Sequence, residues 1–196
     1  MPAADDRVLT IPNVISVVRL LCIPLFLYLL FGREQRADAA ILLAVLGATD
    51  WVDGYIARRW NQVSTLGKVL DPVADRLLLI VGIVAIVIDG SVPIVVAVLA
   101  LLREGLVAGA TLLLAAMGAR RIDVTWWGKA GTFGLMFAFP LFLAGNSDLF
   151  WADAAEVLAW LCAVPGIVLG YVALVLYVPM ARRALADGRA PREVPG

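Results

Sequence analysis

Six long apolar runs constrain what this chain can fold into. Each is close to the ~20 residues that an α-helix needs to cross a bilayer. They lie near residues 10–31, 38–60, 68–88, 92–117, 126–145 and 153–179. Runs this long and continuous exclude barrel strands and leave helices as the spanning element. The sequence therefore predicts an all-α integral membrane protein with six transmembrane helices in one domain, residues 1–181, followed by a polar tail, residues 182–196.

The composition agrees with lipid as the solvent. Hydrophobic residues make up 62% of the chain and the mean hydropathy is +0.93, whereas a soluble domain is usually about half apolar. Basic and acidic residues number 16 each, so the net charge indicates no nucleic-acid partner. The chain has no histidine, which removes the commonest general base and the commonest transition-metal ligand. Cys22 and Cys162 lie in apolar runs and are interpreted as small core residues.

The basic residues predict how the chain is oriented. With six spans, both termini lie on the same side as the second and fourth loops, and the opposite side holds only Arg33 and Arg36. The first side collects Arg7, Arg58, Arg59, Lys68, Arg120, Arg121, Lys129, Arg182, Arg183, Arg189 and Arg192. We expect this side to face the cytoplasm, which makes the protein a multi-pass protein of the cell membrane. The first run is too long for a signal-peptide core and has no clear cleavage site, so it is expected to remain as a span.

Four carboxylates carry the chemical signal. Asp50 and Asp53 are three residues apart, Asp71 and Asp75 four, so each pair shares one face of a helix. The loop between the two helices is short, which predicts antiparallel neighbours whose carboxylates meet near the cytoplasmic ends. Carboxylates this close repel strongly at low dielectric, so they must be protonated, paired with cations or bound to metal. Oxygen ligands without histidine or cysteine select Mg²⁺, Mn²⁺ or Ca²⁺, and Mg²⁺ commonly bridges carboxylates to phosphates.

Small residues lie beside the acidic pairs in the sequence. Gly54, Ala57 and Gly67 would let a ligand lie against the helix backbone, although tight helix packing explains such residues equally well. Pro12 and Asn13 are interpreted first as a helix start near the interface. Charged residues inside spans are costly in lipid and usually mark a functional site. We therefore interpret the four aspartates as functional.

The spacing of these residues resembles the signature of the CDP-alcohol phosphotransferase family. All eight signature positions match: Asp50, Asp53, Gly54, Ala57, Arg58, Gly67, Asp71 and Asp75. The segment from Ile11 to Arg19 resembles the start of the phosphatidylglycerophosphate synthases and of the CDP-dependent cardiolipin synthases. The resemblance covers most of the chain, since six spans and a cytoplasmic motif also agree with that family's fold.

The resemblance implies a role for each matching position. Asp50, Asp53 and Asp71 would coordinate two metal ions, Mg²⁺ or Mn²⁺, with Asp75 contributing to the metal site or lying beside it. Asp75 would act as the general base. The nucleotide of CDP-diacylglycerol would lie against a set that includes two of the carboxylates: Asp50, Gly54, Ala57, Arg58, Gly67 and Asp71. Members of the family are commonly homodimers.

The implied reaction transfers a phosphatidyl group and releases CMP. An acceptor hydroxyl attacks the lipid-side phosphorus, and it needs a base because its pKa is far above 7. The motif offers no serine, cysteine or histidine as a nucleophile, which favours direct displacement over a covalent intermediate.

The acceptor depends on two further basic residues. Arg103 and Lys129 suit an acceptor phosphate, and Asn13 and Arg121 are weaker candidates for the site. Alternatively, Arg103 pairs with Glu104 or an aspartate, and Lys129 marks the membrane interface. The glycerophosphate enzymes tend to have Gly-Lys-x-Lys-Thr, whereas here Gly131 replaces the second lysine. The predicted acceptor is glycerol 3-phosphate first and phosphatidylglycerol second.

A divalent-cation transporter is the competing class, because acidic residues in spans also build such proteins. It does not explain Arg58 and Gly67 at fixed offsets, and transport sites tend to lie near the midplane of the membrane. Metal-dependent release of CMP separates the two classes.

Overall fold

The computed structural model describes the backbone of residues 11–60, 67–117 and 125–189, and the side chains of residues 14–49, 76–114, 116–117 and 125–181. Throughout these ranges the regular structure is helical, without strands. The helices are α1 (Ile11–Leu27), α2 (Arg36–Trp60), α3 (Gly67–Asp89), α4 (Ile94–Ala116), α5 (Trp126–Gly145) and α6 (Ala152–Arg189), and a π-helical turn, Tyr28–Gly32, continues α1. The predicted all-helical fold with six helices is confirmed over this part of the chain.

Within the part of the chain that the structure describes, four segments are long and apolar enough to cross a membrane. They are Val14–Gly32, Ile94–Leu114, Trp126–Gly145 and Ala152–Ala181. Helices α2 and α3 have 25 and 23 residues, lengths that suit a crossing. The total of six crossings stays a prediction.

Helix α6 continues beyond the predicted end of the last span. It ends at Arg189, ten residues past position 179. The added segment is rich in alanine and arginine, both strong helix formers, so the helix persists where the apolar run stops. The predicted polar tail therefore begins inside α6.

The chain forms two packing units, which are described separately. Unit 1 consists of Met1–Ile94 and Met136–Trp160, and in it α1 packs against α2 and α3. Phe142 meets Trp160 edge to face, with 5.3 Å between the ring centroids. The larger buried apolar side chains of this unit are Phe26, Leu30, Leu46, Ile83, Ile86, Phe139, Phe142 and Leu143.

An ion pair ties α2 to α3 at one end of unit 1, where α2 begins and α3 ends. We call this the distal end. The Arg36 Nε donates to Asp89 Oδ2 at 3.0 Å and to Oδ1 at 3.2 Å, and Ser91 Oγ also donates to Asp89. Asn146 Nδ2 donates to the Ser91 carbonyl at 3.0 Å. The hydrogen bond to Asp89 raises the pKa of Arg36, so Arg36 stays charged, and its contribution to stability is present, at every pH below the arginine range.

Unit 2 consists of Val95–Leu135 and Leu161–Gly196. Here α5 and α6 approach closely through glycines. A Cβ atom built at Gly131 would lie 2.7 Å from the Gly170 nitrogen and 2.8 Å from the Gly166 oxygen. Such contacts require glycine unless the helices separate, and small residues at helix contacts are typical of membrane proteins. Tyr171 Oη donates to the Leu99 carbonyl at 3.1 Å, which ties α6 to α4.

Candidate active site

The acidic motif lies on α2 and α3, as the sequence predicts. Asp50 and Asp53 belong to α2, and Asp71 and Asp75 to the first three turns of α3. The side chains of these four residues lie outside the described residues, as do those of Gly54, Ala57, Arg58 and Gly67. The assignments of metal, nucleotide and base residues therefore stay predictions, whereas the helices that carry them are confirmed.

The distal ion pair sets the register of the two motif helices. Arg36 begins α2 and Asp89 ends α3, so their hydrogen bond joins the start of one helix to the end of the other. Two turns further in, a Cβ atom at Gly82 on α3 would lie 3.6 Å from the Leu43 side chain on α2, so the two helices run antiparallel as neighbours here. Asp50 lies fourteen residues after Arg36, and Asp75 fourteen residues before Asp89. At a rise of 1.5 Å per residue, both positions lie about 21 Å from the distal end.

The other two aspartates of the motif, Asp53 and Asp71, also lie at similar distances from the distal end. Asp53 lies seventeen residues after Arg36, and Asp71 eighteen residues before Asp89, so both positions are about 25 to 27 Å from the distal end. The backbone thus brings the motif to two adjacent levels, with one aspartate from each helix at each level. This register suits four carboxylates that act on one ligand.

The donor chemistry of these positions fits a hard divalent cation. Carboxylate oxygen is the ligand that Mg²⁺ and Mn²⁺ prefer, and the chain has no histidine. Elsewhere, among the residues whose side chains are described, no group of three or more histidine, cysteine, aspartate or glutamate side chains could hold a metal ion.

Arg103 lies in unit 2, where it joins α4 to the start of α5. Its side chain is buried, with 6% of the residue exposed. Nη1 donates to Glu104 Oε2 at 2.9 Å and to Thr132 Oγ1 at 3.0 Å, and Nη2 donates to the Gly128 carbonyl at 3.2 Å. The alternative prediction, a pair with Glu104, is thus confirmed. A role in binding the acceptor phosphate stays a prediction.

Lys129 lies in the first turn of α5 and is exposed. Thr125 caps this helix, because its Oγ1 accepts a hydrogen bond from the Gly128 nitrogen at 3.2 Å. The positive end of a helix favours anions, and Lys129 adds a charge of the same sign. Of the weaker candidates, Asn13 belongs to α1 with its side chain outside the described set, and Arg121 lies outside it altogether.

Replacing Arg103 with methionine is expected to lower the free energy of unfolding by about 2–4 kcal/mol. The change removes the donors to Glu104, to the Thr132 hydroxyl and to the Gly128 carbonyl. Thermal unfolding in detergent measures it, with the exposed Arg33→Met as the matched control. An unchanged Tm together with a raised KM for the acceptor would instead make Arg103 an acceptor ligand.

Sequence reasoning missed three features of the fold around the site. The hydrogen bond between Arg103 and the Thr132 hydroxyl could not be predicted from the sequence. Only the position of Thr132, one turn after Gly128, points to it. The distal ion pair joins residues 53 positions apart and cannot be found by local spacing. The glycine contact is detectable in part, since Gly131 and Gly134 on α5 and Gly166 and Gly170 on α6 repeat at helical spacing.

An all-helical protein with several apolar spans, and with an acidic motif at matched levels on two antiparallel helices, has the organisation of a membrane-embedded enzyme for phosphate-bearing substrates. Comparison with known proteins is more specific. Residues 9–179 match the family model described as CDP-alcohol phosphatidyltransferase. The chain belongs to this family, so it is an enzyme of phospholipid biosynthesis, and the cation-transporter alternative is set aside.

Relatives of two kinds are similar to the chain. A CMP-forming cardiolipin synthase of Streptomyces coelicolor is 42% identical over 91% of this chain and 85% of that protein. A putative cardiolipin synthase of Mycobacterium tuberculosis is 38% identical over 88% and 83%. A CDP-diacylglycerol–glycerol-3-phosphate 3-phosphatidyltransferase of Rickettsia bellii is 32% identical over 82% and 91%. Both kinds of enzyme that the sequence resembles, a cardiolipin synthase and a glycerol-3-phosphate phosphatidyltransferase, thus occur among the named relatives.

Proposed function

We propose that this protein is a CMP-forming cardiolipin synthase, which transfers the phosphatidyl group of CDP-diacylglycerol to a hydroxyl of phosphatidylglycerol. The observation that carries this choice is the contact of Gly131 with the backbone of α6. The glycerophosphate pattern has a lysine at this position, and a Cβ atom here would lie within 2.8 Å of two backbone atoms of α6. A second lysine is therefore excluded by this packing.

The remaining charges favour the less charged acceptor. Glycerol 3-phosphate carries a dianionic phosphate near neutrality and calls for a strongly basic pocket. Phosphatidylglycerol carries a single phosphodiester charge. Lys129 is exposed, whereas three donor positions of the Arg103 guanidinium are already occupied by Glu104, Thr132 and Gly128. We therefore place phosphatidylglycerol first, which reverses the order that the sequence alone suggests.

Each residue of the motif has a role in the proposed reaction. Asp50, Asp53 and Asp71, with Asp75 contributing or alongside, would hold two Mg²⁺ or Mn²⁺ ions, which neutralise the diphosphate when bound. Asp75 accepts the proton of the attacking hydroxyl as its oxygen bonds to the lipid-side phosphorus and the bond to CMP breaks. Gly54, Ala57 and Gly67 leave room for the nucleotide, and Arg58 holds its phosphates. We further propose that the motif and both termini face the cytoplasm and that the enzyme is a homodimer.

The acceptor assay tests this proposal. Purified protein with CDP-diacylglycerol and Mg²⁺ is expected to release CMP with phosphatidylglycerol at a rate at least tenfold above that with glycerol 3-phosphate. Thin-layer chromatography of the lipid product and CMP quantification measure it, and omission of each acceptor is the control. Product from glycerol 3-phosphate alone would overturn the choice of phosphatidylglycerol.

Glycerol 3-phosphate is retained as a second candidate for one observation. The Rickettsia bellii relative carries that acceptor in its name and is 32% identical over 82% of this chain.

A further inference from the structure

A buried arginine on α1 has no role in the chemistry described so far. Arg19 is 2% exposed, and Ser16, one turn earlier, is also 2% exposed. Both side chains have at least one bonding or electrostatic partner. A guanidinium inside a membrane-spanning helix is costly unless an opposite charge or a polar ligand accompanies it. Arg19 therefore needs a partner among the groups of unit 1 that lie beside α1.

The buried face of α1 changes from apolar to polar along its length. Toward the distal end it presents Phe26 and Leu30, which are 0% and 1% exposed. Toward the other end the same face presents Arg19 and Ser16. Since α1 packs against α2 and α3, this polar stretch faces the two helices of the motif.

Helical register puts Arg19 at about the same distance from the distal end as Asp50 and Asp75. The π-helical turn ends at Gly32, and a three-residue connection leads to Arg36 at the distal end. The Gln35 nitrogen donates to the Leu29 carbonyl at 2.9 Å, which folds this connection against the end of α1. Arg19 lies thirteen residues before Gly32, about 20 Å from the distal end. Asp50 and Asp75 lie about 21 Å from it.

Other carboxylates of unit 1 are too far away. Glu34, Asp38 and Asp89 are at the distal end by their positions in the chain, and Asp89 is already bonded to Arg36. Asp148, Asp153 and Glu156 follow Asn146, which is bonded to Ser91 at that same end. Apart from Asp5 and Asp6, which precede α1, only the motif carboxylates remain.

We propose that Arg19 is a positioning residue of the active site, whose guanidinium pairs with the Asp75 carboxylate and holds it toward the acceptor hydroxyl. The contact of α1 with α3 is more extensive than its contact with α2, and this favours Asp75 over Asp50. The proposal rests on the proposed function only in assigning Asp75 the proton transfer. The pairing itself is independent of which alcohol is the acceptor.

A double-mutant cycle in thermal unfolding tests the pairing without using activity. Arg19→Met is expected to lower the Tm of the full-length protein in detergent with Mg²⁺ by roughly 6 °C or more, because the proposed ion pair is broken. In a chain that already carries Asp75→Asn, the same change is expected to lower the Tm by less than half as much. Equal losses in the two chains would overturn the pairing.

Arg36→Met is the matched control, because its partner is Asp89. It is expected to lower the Tm equally with and without Asp75→Asn. A coupling of Arg19→Met to Asp50→Asn in place of Asp75→Asn would overturn the assignment to Asp75.

The variant Arg19→Lys separates positioning from folding. It keeps the positive charge but loses the planar, bidentate geometry of the guanidinium. We expect a kcat at least tenfold lower with a KM for CDP-diacylglycerol within twofold of the wild type, since Asp50, Asp53 and Asp71 are unchanged. An unchanged kcat would overturn the positioning role. If Arg19→Met does not yield folded protein, the cycle is run with Arg19→Lys. Equal decreases in Tm with and without Asp75→Asn would again overturn the pairing.

Discussion

Replacing Asp75 with asparagine is expected to lower turnover by about 10²- to 10⁴-fold, the range that general-base catalysis supplies. Asparagine keeps the size and one oxygen of the side chain but cannot accept the proton of the attacking hydroxyl. Binding of CDP-diacylglycerol is expected to change little, because the other three aspartates of the motif are untouched. CMP release measures turnover, and calorimetry with the CDP-lipid measures binding.

Asp38→Asn is the matched control for this variant. Asp38 lies in the first turn of α2, is exposed and is twelve residues from Asp50. Its replacement is expected to leave turnover within about twofold and to cost at most the ~0.3–1 kcal/mol of a favourable interaction with the helix N-terminus. Near-normal turnover of Asp75→Asn would remove Asp75 from the mechanism. Loss of CDP-lipid binding would assign it to the metal site instead.

Replacing Gly131 with valine is expected to lower the free energy of unfolding by about 3 kcal/mol, at the upper end of the range for overpacking. The new Cβ atom would overlap the backbone of Gly170 and Gly166, at 2.7 Å and 2.8 Å. These are backbone atoms, so the overlap is relieved only when α5 and α6 move apart. For a chain of this length the change corresponds to a Tm lower by roughly 6–12 °C.

Gly109→Val is the matched control, because no atom lies within 4 Å of a Cβ atom at this exposed position of α4. Its Tm is expected to stay within about 2 °C of the wild type, since valine is at least as good a helix former as glycine. An equal Tm for Gly131→Val would show that α5 and α6 can separate without cost. A second lysine at position 131 would then be sterically possible, and phosphatidylglycerol would lose its main support as the acceptor.

The site illustrates how far local spacing can predict. The intervals of three and four residues between aspartates predict two acidic helix faces, and the short connection predicts that the helices are antiparallel. The described helices and the distal ion pair confirm that the motif lies on two antiparallel helices, whereas the acidic faces stay a prediction. The contact that fixes the register of these helices could not be predicted, because it joins Arg36 to Asp89 and no rule of sequence joins residues 53 positions apart. Arg103 shows the same limit. Its presence in a span predicts a partner, but the choice of Glu104, Thr132 and Gly128 depends on how α4 meets α5.

The sequence by itself determined the membrane as solvent, the six helices and the acidic motif, because hydropathy and side-chain spacing are local properties that act before any packing. Only the tertiary structure decided that Gly131 stands against the backbone of α6 and that Arg19 is buried at the level of Asp50 and Asp75. Both follow from the distances at which helices from separate parts of the chain pack, and those distances depend on many side chains at once. The proposed choice of acceptor and the proposed positioning of the base therefore depend on the packing as much as on the motif.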